Sequence, residues 1–117
     1  MKRFLAIFIG TPEALERTGW TQLSDDERRA REAEGMAAWC AWATKHADAI
    51  VDVGAPLGKT KRVSAEGIED IRNVMAAYAV MQAASHAAAA ELFVDHPHFT
   101  IFPGDSVEIM ECRPMPG

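Results

Sequence analysis

The residues of this chain that could do chemistry are proton-transfer groups and aromatic side chains. His98 follows a proline near the end of the chain, and Glu108 alternates with Val107 and Ile109. An imidazole, or a carboxylate that is partly removed from water, can act as a general acid or base. His98 and Glu108 are therefore the candidate catalytic residues. The alternative for Glu108 is an exposed carboxylate on an edge strand.

Two tryptophans and a histidine form the candidate ligand-binding surface. At about 100° per helical residue, Trp39, Trp42 and His46 fall within roughly 60° of one another. They flank an apolar stripe made of Met36, Cys40, Ala43 and Ala47. Aromatic side chains beside a titratable group indicate a half-covered cleft. The alternative interpretation makes both tryptophans core residues and His46 a cation at the end of a helix.

Three more residues complete the candidate ligand-binding set. Tyr78, the only tyrosine of the chain, is expected to extend the apolar wall of the cleft. Lys61 is expected to hold an anionic group of the ligand. Asp52 lies on a predicted edge strand, so that its carboxylate is either part of the site or simply solvated.

Two short motifs that suggest a bound nucleotide or metal are incomplete. The segment 54–60 resembles a phosphate-binding loop, but it has three residues between its glycines, where four are required. His96 and His98 could share a metal ion, but the spacing fixes no third or fourth ligand. The alternative is that the two histidines cap a helix and form hydrogen bonds. We therefore expect no cofactor and no metal. A loosely held anion at Lys59 or Lys61 stays possible.

Composition and charge exclude several classes of protein. The 117 residues are 49% hydrophobic and 25% charged, as is usual for a single globular domain, assigned to 1–117. A net charge of −5 argues against nucleic-acid binding, which requires clustered Lys and Arg. No apolar run is long enough to cross a membrane, and the apolar start lacks a cleavage site. Cys40 and Cys112 predict buried free thiols in a cytoplasmic protein.

Hydrophobic periodicity predicts four strands. They are assigned to Lys2–Ile9, Ala49–Gly54, Val74–Ala83 and Ser106–Cys112. The first and third strands are apolar on both of their faces, which is typical of central, covered strands.

Two main helices are predicted between these strands. Ser24 and Glu27 form a capping box that begins the first helix, which becomes apolar from Met36 to Ala47. Ser85 caps the second helix, His86–Val94. A helical turn and two loops are assigned to Pro12–Arg17, Ala55–Asn73 and His98–Gly104. Gly35, inside the first helix, predicts a bend or a close contact.

The resulting order, β-α-β-β-α-β, is that of an α+β ferredoxin-like domain with an antiparallel four-stranded sheet. In that topology the first and third strands are the inner pair, in agreement with their two apolar faces. Two helices can cover only one face of such a sheet. The other apolar face must be covered by something else, and a second copy of the sheet is the simplest solution. We therefore expect a homodimer.

In its motifs and their order the chain resembles the YCII-related domain family of the dimeric α/β-barrel superfamily. The resemblance rests on the following segments: Trp39-x-x-Trp42, Val51-Asp-Val-Gly-Ala-Pro-Leu-Gly-Lys-Thr-Lys61, the Gly67 loop, the Tyr78 strand, Pro97-His98, and Gly104-Asp-Ser-Val-Glu108. It implies a ferredoxin-like protomer, a dimer, and a small-molecule cleft between the sheet and the first helix.

The chain departs from the pattern of the enzymatic relatives within this family. Those relatives have a histidine in the middle of the first long helix and an Asp-Pro dipeptide late in the second helix. Here Trp39 and Trp42 occupy the helix middle, and His96 separates Asp95 from Pro97. The superfamily includes isomerases, dehydrochlorinases and monooxygenases that act on small aromatic or lactone-like compounds, which is an analogy of fold alone.

Two functions therefore remain open at this stage. The first is a cofactor-free acid/base enzyme that acts on a small, aromatic or anionic metabolite. The second is a non-catalytic ligand-binding or accessory homodimer that uses the same cleft. A deep cleft in which His98 or Glu108 meets another titratable group favours the enzyme, and a closed, fully packed core favours a structural role.

Overall fold

Six strands and four helices make up the computed structural model, which describes residues 1–116. The strands are β1 (Lys2–Ile9), β2 (Ile50–Pro56), β3 (Thr60–Ser64), β4 (Gly67–Ile71), β5 (Met75–Ala83) and β6 (Ser106–Glu111). The helices are α1 (Pro12–Arg17), α2 (Asp25–Lys45), α3 (His86–Glu91) and α4 (Pro97–Thr100). Short 3-10 turns precede α2 and β2, at Trp20–Gln22 and Ala47–Ala49.

Four of the strands form one antiparallel sheet in the order β2-β5-β1-β6. The predicted α+β class and the predicted inner pair are thus confirmed, because β1 and β5 are the central strands. Ile7 pairs with Tyr78 on one side and with Glu108 on the other, and Phe8 pairs with Ala77 and Val107. Since neighbouring residues of a strand point to opposite faces, these pairs identify the two faces of the sheet.

The helices cover the face that carries Phe4, Ala6 and Phe8, which are at most 2% exposed. Ala6 and Phe8 pack with Met81 and Phe93, and Phe4 packs with Ala83 and Ala89. We call the other side of the sheet the open face. It carries Leu5, Ile7, Ile9, Tyr78, Val80, Glu108 and Met110. Ile7 and Ile9 at its centre are buried, whereas Leu5, Tyr78 and Val80 are half-buried and Glu108 and Met110 are exposed.

Helix α2 begins as predicted and has two dissimilar halves. Ser24 and Glu27 form the capping box in both directions, and all residues of 25–34 are exposed. The buried side of the second half is formed by Gly35, Trp39 and Trp42, whereas Met36 is 56% exposed. The predicted stripe through Met36 and Cys40 is therefore displaced, because the tryptophans lie at its centre and not on its flank.

The prediction of a loop over Ala55–Asn73 is wrong. Strand β2 continues to Pro56, and β3 and β4 form a separate hairpin that turns at Ala65–Glu66. Gly67 closes the turn with a φ of 116°, which favours glycine. Cross-strand ion pairs and a Val63–Ile68 pair hold the hairpin register. Its glycine and lysine content had indicated a loop, and only the alternation of its short strands favours a hairpin.

Two further boundaries differ from those predicted. Helix α3 ends at Glu91, because the chain turns through Leu92–Asp95 and Asp95 adopts a φ of 58°. The predicted loop His98–Gly104 begins inside α4, where Pro97 occupies the first turn. Proline is favoured at that position because its missing N–H is not needed there.

Two remaining expectations concern the cysteines and membranes. Cys40 and Cys112 are free, as expected, but both are exposed, so the predicted burial of their thiols is wrong. Cys40 is exposed because α2 turns its tryptophans, and not Cys40, toward the sheet. Within residues 1–116, no helix combines the length and the apolar character needed to cross a membrane.

Candidate functional site

Two histidines and two tryptophans meet between α2 and the sheet. The ring of His96 lies 4.5 Å from the rings of both Trp39 and Trp42, and nearly perpendicular to each. Phe8 of β1 forms the floor, with its ring 4.9 Å from Trp39 and 5.3 Å from His98. We call these five residues the histidine–tryptophan cluster. It occupies the place that the sequence predicted for a ligand cleft.

Helix α2 and the segment after α3 position this cluster. Trp42 donates a hydrogen bond from Nε1 to the carbonyl of Leu92 at 2.7 Å, which ties α2 to the end of α3. His96 then caps the N-terminus of α4, because its Nδ1 accepts a bond from the backbone N–H of His98 at 2.9 Å. The single turn of α4 thus places both imidazoles against Phe8.

A backbone carbonyl determines the tautomer of His98. Its Nε2 lies 2.8 Å from the carbonyl oxygen of Ile9, which also accepts the backbone N–H of Asp105 at 2.9 Å. A carbonyl oxygen can only accept, so the His98 Nε2 carries the proton. In neutral His98 the lone pair is therefore on Nδ1, the nitrogen that can act as a base.

His96 presents the opposite chemistry. It is completely buried, and its Nδ1 is used as an acceptor, so that the proton of the neutral ring lies on Nε2. No atom of residues 1–116 accepts a hydrogen bond from that Nε2. A buried N–H without an acceptor costs about 1–3 kcal/mol, which the faces of the surrounding aromatic rings offset in part.

Burial keeps both imidazoles neutral. The pKa of His96 is lowered from 6.5 to about 4, mainly by burial and further by His98 and His46. Burial also lowers the pKa of His98, although the Ile9 carbonyl and the Asp105 carboxylate oppose the shift. His46, the C-cap of α2, has its pKa lowered by burial and by Lys45, and its ring lies 5.5 Å from Trp42.

Two glycines allow the loop after α4 to pack closely on this cluster. A Cβ on Gly104 would lie 2.3 Å from Nε2 of His98, and a Cβ on Gly35 would lie 2.5 Å from the Phe102 ring. The space at Gly104 is also blocked by the backbone carbonyl of His98, so this position requires glycine, whereas a side chain at Gly35 would have to displace the Phe102 ring. The predicted close contact at Gly35 is confirmed, and the contacting group is Phe102.

The remaining predicted site residues lie elsewhere in the protomer. Tyr78 and Glu108 flank Ile7 on the open face, on the side of the sheet opposite to the cluster. Asp52 is exposed on β2, where its Oδ1 accepts the backbone N–H of Gly54 at 2.8 Å. Lys61 lies on the hairpin, 2.7 Å from Asp70. A single cleft that holds all of them is therefore not formed within one protomer.

Two concave regions lie outside the cluster. A groove of about 1130 Å³ at the base of the hairpin is lined by Leu57, Gly58, Lys59, Thr60, Lys61, Asp70, Ile71, Arg72, Asn73 and Met75. A smaller cavity of about 300 Å³ lies between the β6 edge and α3, with Phe93, Phe99 and Val107 among its lining. The groove is therefore lined by three cations, Lys59, Lys61 and Arg72, and by one carboxylate, Asp70.

Sequence reasoning missed part of the cluster. Phe8 was placed only on an apolar face of the first strand, Phe93 was not singled out, and His96 was considered as a metal ligand or as a helix-capping and hydrogen-bonding residue. In residues 1–116 no three His, Cys, Asp or Glu side chains are arranged to hold a metal ion. The one available signal was the His96-Pro97 dipeptide, since a proline in a first helical turn leaves the preceding residue as the N-cap.

Comparisons with known proteins identify the fold. No protein-family profile and no curated protein sequence matches the chain. Among solved structures it is similar to the 5-chloro-2-hydroxyhydroquinone dehydrochlorinase from Burkholderia phenoliruptrix, determined in complex with 2,5-dihydroxybenzoquinone. The two are 15% identical, with a TM-score of 0.55 over 95% of this chain and 93% of the other. A likeness at this identity shows a common fold.

Proposed function

We propose that the chain is a homodimeric, small-molecule-binding protein of the YCII-related type, in which His98 is a general base. One observation carries the proposal. His98 offers a free Nδ1 lone pair beside His96, whose Nε2–H lacks an acceptor. A base and a hydrogen-bond donor that are both neutral at pH 7 suit proton removal from a weak acid whose oxygen needs a donor.

The surroundings of the two imidazoles indicate what kind of ligand they suit. Trp39 and Trp42, which are half-buried, provide flat apolar surfaces beside the imidazoles, and such surfaces favour a planar ring. A phenol, a hydroxyquinone or an enol lactone combines such a ring with an acidic proton and an oxygen acceptor. The dehydrochlorinase of the same fold is named for a substrate of this chemical kind, and we extend that class to this chain.

The uncovered face of the sheet supports the homodimer. Leu5, Val80 and Met110 lie side by side on the open face, where Leu5 and Val80 are half-buried and Met110 is 42% exposed. An apolar face of this kind is stabilised when a second sheet removes it from water. Tyr78 and Glu108 would then lie in the dimer interior, where Glu108 is a second candidate base.

Ligand titration tests the proposal. We expect a planar phenol, hydroxyquinone or enol lactone to quench tryptophan fluorescence and to be converted. His98→Gln removes the Nδ1 base and keeps an N–H that can reach Ile9, so turnover should fall about 10²–10⁴-fold while binding is retained. His86→Gln is the matched control, because His86 is exposed and lies outside the cluster, with its Nε2 on the Ile109 carbonyl and its ring against Phe4.

A non-catalytic ligand-binding or accessory homodimer is the second candidate function. It is favoured by the burial of both imidazoles, of which His98 is only 8% exposed, so that the cluster also fits a packed core. Binding that is equal in native and His98→Gln protein, with no turnover in either, supports this function. If no compound of the three classes binds, both candidate functions fail at this cluster.

A further inference from the structure

The β3–β4 hairpin projects from the rest of the protomer and is exposed along its length. Every residue of 61–70 is exposed, and Val63 and Ile68 are 74% and 71% exposed. The radius of gyration is 16.1 Å, whereas a compact chain of this length has about 13 Å. The hairpin and the first half of α2 account for this extension, because both lack buried residues.

These two projecting elements differ in how well their own contacts stabilise them in water. The first half of α2 is charged on all sides, and its capping box and the Arg28 ion pairs with Asp25 and Glu32 stabilise it in water. The hairpin has two exposed cross-strand ion pairs, Lys61–Asp70 and Arg62–Glu69, but it has no packed face. An isolated two-stranded hairpin is at most marginally stable in water and needs a third strand or a packed face.

The face of the hairpin that lacks cover is apolar at its centre. Val63 pairs directly with Ile68, and the neighbouring pair on the same face is Lys61 with Asp70. Leu57, Val74 and Met75, all more than 40% exposed, lie at the base of the hairpin. Exposed apolar side chains thus occur both on the hairpin and at its base, with the Lys61–Asp70 pair between them.

The groove at the hairpin base carries more positive than negative charge. Lys59, Lys61 and Arg72 outnumber the single carboxylate of the groove, Asp70, in a chain whose net charge is −5. The open face carries the carboxylate of Glu108 and, near the start of β1, the guanidinium of Arg3. Two acidic copies repel each other overall, so contact between the basic groove and Glu108 of a second copy would favour their association.

We infer that the hairpin of one copy closes over the open face of a second copy. This inference rests on the proposed homodimer and specifies its contact. Val63 and Ile68 then leave water at the interface, and Lys59 and Lys61 approach Tyr78 and Glu108 of the second copy. Lys61, Tyr78 and Glu108, which lie apart within one protomer, are thus close together in the dimer. An anionic ligand between them would contact both chains.

Sedimentation of a charged variant tests this contact. Val63→Lys/Ile68→Lys should weaken dimerisation at least tenfold while the circular dichroism spectrum is unchanged. Val94→Lys is the matched control, since Val94 is 61% exposed and lies on neither the hairpin nor the open face. A dissociation constant of the double variant within threefold of the native value overturns the inference and leaves the homodimer intact.

Hydrogen exchange on the native protein tests the contact without any substitution. The amides of residues 61–70 should exchange slowly in the dimer and become fast on dilution below the dissociation constant. Fast exchange of these amides in a dimer overturns the hairpin contact alone. A chain that is monomeric at tens of micromolar overturns the homodimer together with this inference, whereas ligand binding at the histidine–tryptophan cluster is measured separately.

Discussion

In the histidine–tryptophan cluster, residues from β1, α2 and the α4 region surround one buried imidazole, whereas the hairpin pairs residues that are close neighbours in the sequence. The cluster has rings in contact at 4.5–5.3 Å and two hydrogen bonds between distant elements, from Trp42 to Leu92 and from His98 to Ile9. The hairpin has exposed ion pairs and an exposed Val63–Ile68 pair.

This difference shows where each region obtains its stability. Burial of aromatic surface contributes several kcal/mol per large side chain, while exposed ion pairs contribute about 0–1 kcal/mol each. The cluster can therefore be stable within one protomer. The hairpin needs a surface from outside the protomer. Three measurements sharpen or break this comparison.

The largest effect is expected when Trp42 is truncated. Trp42→Ala removes ring contacts with Phe93 and His96 and the bond to Leu92, and should lower the free energy of unfolding by about 3–5 kcal/mol. Val63→Ala, in the dissociated protomer, should cost less than about 0.5 kcal/mol. Urea unfolding at low protein concentration measures both. Equal costs at the two sites would contradict the contrast.

The next effect is a loss of stability in acid that depends on His96. The pKa of His96 is about 4 in the folded protein and 6.5 in the reference state, so the unfolded chain binds a proton first. The stability is fully present above pH 6.5 and falls as the pH approaches 4, by on the order of 2–3 kcal/mol.

His96→Gln isolates this contribution. The difference in unfolding free energy between native and His96→Gln protein should shrink as the pH falls from 7.5 to 4.5. Parallel curves for native and His96→Gln protein would show that the folded state does not disfavour the charged imidazole of His96.

The smallest effect concerns the hairpin ion pair between Lys61 and Asp70. Both side chains are mostly exposed, so a double-mutant cycle with Lys61→Ala and Asp70→Ala should give a coupling below about 1 kcal/mol. Salt at 1 M should reduce it further. A coupling of several kcal/mol in the dissociated protomer would mean that local ion pairs, and not an outside surface, stabilise the hairpin.

Much of the fold could be predicted from local patterns. The two apolar faces of β1 and β5 identified the inner strands, and Ser24 with Glu27 identified the start of α2. Such signals depend only on neighbouring residues. The hairpin was missed because the glycines and lysines of its surroundings also suit a loop, and its strands bury no face that would reinforce their alternation.

The candidate site was predicted in part. Trp39, Trp42 and His98 do meet, because their elements pack on the helix-covered face of the sheet. Glu108 and Tyr78 were assigned to the same cleft, but their register places them on the open face. A shift of one residue in register reverses the face of every side chain in a strand, and a single sequence does not state the register.

The sequence by itself determined the α+β order of elements, the inner strand pair and the aromatic character of the second half of α2, because these follow from periodicity and capping along the chain. Tertiary structure alone decided that His96 is buried with an unpartnered Nε2, that the Ile9 carbonyl fixes the tautomer of His98, and that Lys61 lies away from both. Burial and tautomer depend on groups that are distant in the sequence, and those meet only when the sheet and helices pack.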